Sequence, residues 1–239
     1  MVDSNGQVVR KIRLNSFWPL CWSEIGRRAI RARQFPPFID ASCRREPDLQ
    51  HAFPSITALC RQGTFAPHLY LNDIIVYITK KGRWLMQEKH HRLVAILQVI
   101  ERKASHAEAA VWYREQRLPL PSNCMMPGNP PYQFLETGGI YTTQKENKTF
   151  LAYPTTMQEF VGEHEVNLWD AEYLAKSQTW PVFIITRPLF VSLHNPPVLT
   201  AAGFMDVFGK IPNTRTPNII TKEQLDKLIC LTGIQLTGR

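Results

Sequence analysis

The chain has 239 residues, 44% of them hydrophobic and 20% charged, which places it among globular proteins able to bury a real core. No run of about 18 apolar residues occurs, and Asp3, Asn5 and Gln7 follow Met1 where a signal peptide would be apolar, so a cytoplasmic location is expected. The net charge of +8, with a pI near 9.4, favours polyanionic partners, while five widely spaced cysteines without a C-x-x-C pair exclude a zinc knuckle or a thioredoxin-type site.

Residues 1–34 carry seven Lys/Arg (Arg10, Lys11, Arg13, Arg27, Arg28, Arg31, Arg33) against Asp3 and Glu24. They read as a basic N-terminal extension able to lie along a phosphate backbone or simply to solubilise the chain. Within it, Trp22–Arg33 predicts a short helix with Ile25 and Ile30 on its apolar side. Pro36-Pro37 ends any helix and begins the domain assigned to 35–239. Asp40 to Asp48 has neither strand nor helix periodicity and reads as a loop. Pro54–Arg61 predicts a short helix.

Two apolar, β-branched runs come next, Ile74–Thr79 and Leu93–Ile100. They predict a strand pair joined by the cationic stretch Lys80-Lys81-Gly82-Arg83-Trp84. Ser105 with Glu108 is a capping-box spacing and predicts a helix to Arg117. The proline-rich stretch 118–131 is a rigid loop. The region 142–160 is mixed, and 167–173 suggests a helical turn. Trp180–Arg187 is a strand, with Leu189–Leu193 as a second. Residues 208–217 form a loop, in which the polar, cationic Thr214-Arg215-Thr216-Pro217 is a candidate for phosphate, and Thr221 with Gln224 starts a last helix that turns Leu225, Leu228 and Ile229 inward.

The candidate chemistry lies in three places. Asp40, Ser42, Cys43, Arg44 and Arg45 combine guanidinium forks suited to phosphate or base edges with a carboxylate that orients them; local salt bridges in an exposed turn are the plainer account. Arg61, Lys80, Lys81 and Arg83 are cations for a phosphate backbone, and Trp84, set in a polar loop, is the stacking candidate, worth ~1–3 kcal/mol per base. Tyr77, mid-strand, is assigned to core packing. Asn123, held between prolines, pairs a base edge or bonds its own turn. His90 and His91 are adjacent in a strand and point to opposite faces, so a two-histidine metal grip is not expected. No metal and no cofactor are assigned.

The run Phe65-Ala66-Pro67-x-Leu69, then Leu71-Asn72-Asp73 leading into Ile74-Ile75-Val76-Tyr77, resembles the x-Gly-Asp-x-hydrophobic-x-Tyr strand start of the PUA-like superfamily of EVE, ASCH and YTH types. Asn72 stands where glycine is usual, and asparagine tolerates the left-handed backbone of such a corner. The order Asp40, Cys43, Ser55 to Arg61 and Asp73 is also similar to nucleotide-modification-associated domains. The resemblance implies an α+β fold, a twisted β-barrel flanked by helices, with a pocket for a nucleobase, often a modified one.

The expected function is therefore binding of nucleic acid (DNA or RNA) or a nucleotide, reading a modified base in a barrel pocket, in DNA or RNA modification or defence. The alternative is a hydrolase or nuclease acting on a modified nucleobase or nucleotide, with Cys43 or Cys60 as nucleophile, His91 or His90 as base and Asp40 as orienter. A third reading is a structural protein whose basic arm docks on an acidic complex.

Overall fold

The structure, a computed structural model, describes residues 11–84, 86–139 and 172–237. The region 142–160 and residues 167–171 lie outside the described residues. Among the described residues, seven strands join in one mixed sheet in the order β2-β5-β4-β3-β1-β7, with β6 paired to β4 off this path. They are β1 (Ile12–Phe17), β2 (Ser55–Thr57), β3 (Ile74–Thr79), β4 (His91–Lys103), β5 (Phe183–Val191), β6 (Val198–Leu199) and β7 (Asn218–Ile220). The helices are α1 (Glu24–Arg33), α2 (His106–Glu115), α3 (172–179), α4 (Ala201–Phe208) and α5 (Lys222–Thr232). No described helix is long and apolar enough to cross a membrane.

The predicted pair β3–β4 forms the centre of the sheet, antiparallel, with Tyr77 opposite Ala95 and a register shift after Tyr77. The long strand β4 pairs β5 on its other side, with two further shifts. Such irregularities bend and twist the strands that carry them, and the sheet curls into a half-barrel flanked by helices. This is the α+β architecture implied by the strand-start motif. Asn72 has φ 69°, so asparagine supplies the left-handed corner before β3.

Residues 12–34 are not an extension. β1 lies between β3, to which it runs parallel, and β7. Its sequence alternates weakly, and pairing on both sides is what makes it a strand. α1 begins at Ser23, whose Oγ accepts from Gly26 N, and it buries Gly26 and Ala29 rather than the two isoleucines, which are half-buried. A Cβ on Gly26 would sit 1.7 Å from the Leu20 carbonyl oxygen, so only glycine permits this approach.

Two other expectations are corrected. Ser55–Thr57 is an edge strand rather than part of a helix, because Ser55, Ile56 and Thr57 pair with Ile185, Ile184 and Phe183. The two strands predicted over 180–193 are one, β5, which passes through Pro188. The capped helices α2 and α5 form as predicted, and α5 has a complete capping box at Thr221 and Gln224.

Strand alternation gives the sheet two apolar faces. Ile12, Leu14, Ile74, Val76, Ile78 and Ile96 face α4 and α5, through Phe204, Val207, Leu225 and Leu228. Phe17, Ile75, Tyr77, Ala95, Leu97 and Val99 form the other core, with Phe38, Leu49, Phe65 and Trp84. The candidate site opens on this second face.

Candidate nucleotide-binding cavity

A cavity of about 290 Å³ is lined by Asn15, Ser16, Phe17 and Trp18 at the end of β1, Asp40, Ser42 and Glu46 from the loop after α1, and Leu59, Cys60, Arg61 and Phe65. Tyr77 and Lys80 from β3 and its exit, with Tyr173 and Lys176 on α3, complete it. The parallel register that sets Asn15 beside Tyr77 brings both to the same face. Phe17 and Phe65 meet Tyr77 edge-on, with ring centroids at 6.0 and 6.4 Å. Aromatic walls of this kind suit a planar ligand.

The polar end of the cavity is built from two buried carboxyls. Asp40 Oδ1 accepts from Ser42 N at 2.9 Å, Ser42 Oγ at 2.5 Å and Glu46 N at 3.1 Å, which folds the loop back on itself. Glu46 Oε1 accepts from Thr57 N at 2.8 Å, and its Oε2 accepts from Thr57 Oγ1 at 2.5 Å and Asn123 Nδ2 at 3.1 Å. Burial raises both carboxyls above the usual carboxylate range, Glu46 to about 8. Burial and the neighbouring Asp40 charge outweigh the three donors on Glu46, which shifts the carboxyl toward its protonated form near neutral pH.

The mouth has the opposite character. Arg61 Nη2 donates to Ser16 O at 2.9 Å. Burial, then the charges of Arg61 and Arg215, lower Lys80 to about 8. Lys176 lies 5.3 Å over the Tyr173 ring. Cys60 opens on the cavity with its sulfur 3.8 Å from the Tyr173 hydroxyl; the surrounding protein pushes its thiol pKa up, so it is a poor nucleophile as it stands.

Of the residues singled out from the sequence, Asp40, Ser42, Cys60, Arg61 and Lys80 meet in the cavity. Lys81 and Arg83 are exposed on the loop after β3, and neither lines it. The others have different roles. Arg44 is buried and donates to the carbonyls of Asn129 at 2.7 Å and Ser122 at 3.2 Å. Arg45, also buried, donates to the carbonyls of Asp40, Ser42 and Glu136 and stacks 4.3 Å from the Tyr132 ring. These guanidinium groups staple loops together, because a buried cation must find acceptors. Neither is placed to meet a phosphate.

Trp84 is only 5% exposed and donates Nε1 to Lys80 O, so it is core and not a stacking platform. Trp18, 38% exposed at the cavity rim, takes that position, with Trp22 tilted against it at 5.2 Å. Asn123 is fully buried and holds Glu46 instead of facing a ligand. Cys43 packs with Leu59 and Tyr173. His91 lies on the opposite face of the sheet, its Nδ1 2.7 Å from Thr79 O and its ring against Phe204. The structure therefore does not bring His91 to the face that carries Asp40.

Glu46, Asn15, Trp18, Tyr173 and Lys176 had not been singled out. The only local sign was the i, i+3 spacing of Tyr173 and Lys176, which places them on one helix face. No family model matches this chain, and no curated protein matches it. A solved structure, ASCH from Zymomonas mobilis, is similar over 93% of this chain and 96% of its own length, with 8% identity and a TM-score of 0.38.

Proposed function

We propose that the chain binds single-stranded nucleic acid or a nucleotide and inserts one base into this cavity. The observation that carries the reading is the polarity of the cavity: aromatic walls and hydrogen-bonding carboxyls inside, cations at the mouth. A nucleotide has the matching order, a flat heterocycle with donors and acceptors on its edge and an anion outside. At about 290 Å³ the cavity is at the small end of ligand pockets, the size for one ring system. An extruded base is read elsewhere by hydrogen bonds to its edge and by stacking. Here Asp40, Glu46 and Asn15 supply the bonds, Trp18 the stacking surface, and the buried Phe65 and Tyr77 the apolar floor. The preference for a modified base belongs to this proposal and rests on the motif resemblance.

Titration of the full chain with fluorescent single-stranded RNA and DNA, with and without modified bases, tests the reading. Affinity falls steeply with salt as counterions are released, and Glu46→Gln weakens it. Absent binding, or binding insensitive to both salt and Glu46→Gln, overturns it.

A hydrolase is the second reading, favoured by Glu46 and Lys80 lining one cavity, where burial moves the carboxyl up and the amine down toward the range in which side chains exchange protons. It replaces the cysteine–histidine arrangement. Incubation with a nucleotide pool and mass spectrometry tests it; unchanged pool composition rejects it.

A further inference from the structure

The segment 211–217, between α4 and β7, is a strap tied to three of the residues that line the cavity, Ser16, Arg61 and Lys80. Three donors from cavity-lining residues end on two of its consecutive carbonyls. Ser16 Oγ donates to Thr214 O at 2.9 Å, Lys80 Nζ donates to the same oxygen, and Arg61 Nη1 donates to Arg215 O. Arg215 adds its own exposed side chain, close enough for its charge to be felt at Lys80. Among the described residues, none of Arg61, Lys80 and Arg215 forms an ion pair with a carboxylate.

Two cations and a hydroxyl thus converge on two neutral carbonyls, with the Arg215 charge felt beside them, and among the described residues no carboxylate answers them. Like charges gathered without a counter-charge repel one another. A phosphoryl group accepts charge-assisted hydrogen bonds about twice as strong as those to a neutral acceptor. Apart from those three bonds and the buried Pro212, the strap is held lightly. Asn213 Oδ1 accepts from Arg215 N at 2.8 Å, and Asn218 Nδ2 donates to Asn213 O and Thr216 O, all on the exposed side. Ile211 is exposed and adds little packing. A segment with few buried contacts opens at low cost.

We propose that Ser16, Arg61, Lys80 and Arg215 form an anion subsite, closed in the free protein by the Thr214 and Arg215 carbonyls, which a phosphoryl group displaces on binding. The inference rests on the nucleotide reading of the cavity and deepens it. The ligand class becomes one carrying a phosphate beside the inserted base, and a nucleoside alone leaves the strap shut. The subsite also couples the two ends of the ligand, since displacing the strap frees Ser16, Arg61 and Lys80, which line the cavity as well.

Calorimetry on the full chain with adenosine, cytidine, their 5′-monophosphates and inorganic phosphate provides the test, alongside amide hydrogen exchange across 211–217. The monophosphates are expected to bind at least ~10-fold tighter than the nucleosides, the worth of one charge-assisted bond. Inorganic phosphate alone should speed exchange of the strap amides. Arg215→Glu should cut the monophosphate preference about tenfold; Lys80→Gln gives an independent check. Equal affinity for nucleosides and monophosphates, or strap exchange unchanged at saturating phosphate, overturns the subsite while leaving the base cavity standing. Phosphate binding with strap release but no affinity for any base supports the subsite and overturns the base cavity instead.

Discussion

Asn123 donates its side-chain amide to Glu46 Oε2 at 3.1 Å while its Oδ1 accepts from Ser55 Oγ at 2.6 Å. The proline-rich loop after α2 thereby fixes a carboxyl of the cavity from behind. Asn123→Ala leaves Ser55 and Glu46 buried without this partner and is expected to cost about 2 kcal/mol, read from the urea midpoint. It also removes a donor that lowers the Glu46 pKa, so that pKa should move up from about 8, followed by carbon NMR of the Glu46 carboxyl.

Stability should fall as pH rises through the Glu46 transition. The unfolded side chain loses its proton near 4.5, while the folded one keeps it to about 8. Between these values the native state binds more protons, so the Glu46 contribution is full below 4.5 and is lost as pH climbs to 8. Denaturant titrations at pH 5 and 8.5 should show the decline, and Glu46→Gln should flatten it.

His106 works in the opposite direction. Its Nδ1 accepts from Met125 N at 3.0 Å, which needs a neutral ring, and burial, with Arg44 nearby, lowers its pKa to about 4. The unfolded imidazole protonates near 6.5, so its contribution is present above that value and is lost as pH falls to 4. The loss is on the order of 2–3 kcal/mol, and His106→Gln, which keeps an acceptor for Met125, should remove most of that slope between pH 4 and 6.5.

The two tryptophans near the cavity should separate cleanly. Trp84→Ala opens a core void and is expected to cost ~3–5 kcal/mol of stability, whereas Trp84→Phe should leave oligonucleotide affinity close to wild type. Trp18→Ala should leave the melting temperature nearly unchanged and weaken binding by ~1–3 kcal/mol, the value of one stacked base. Fluorescence anisotropy and thermal melts on the same three variants distinguish these outcomes.

Local chemistry alone determined the central strands and the capped helices. Ile74–Thr79 and the run from Leu93 are too β-branched and apolar to be anything but buried strand, and Ser105–Glu108 and Thr221–Gln224 satisfy helix amides within one turn. The left-handed corner at Asn72 was equally local. Tertiary structure decided the rest. Ile12–Phe17 becomes a strand only because β3 and β7 flank it. Arg44 and Arg45 look like surface charges until distant carbonyls at 122, 129 and 136 claim them. The cavity draws on residues as far apart as Asn15, Glu46, Tyr77 and Tyr173. Hydrogen-bond periodicity acts over a few residues and is written into neighbouring positions, whereas burial and convergence of charge depend on which remote segments the curled sheet brings together.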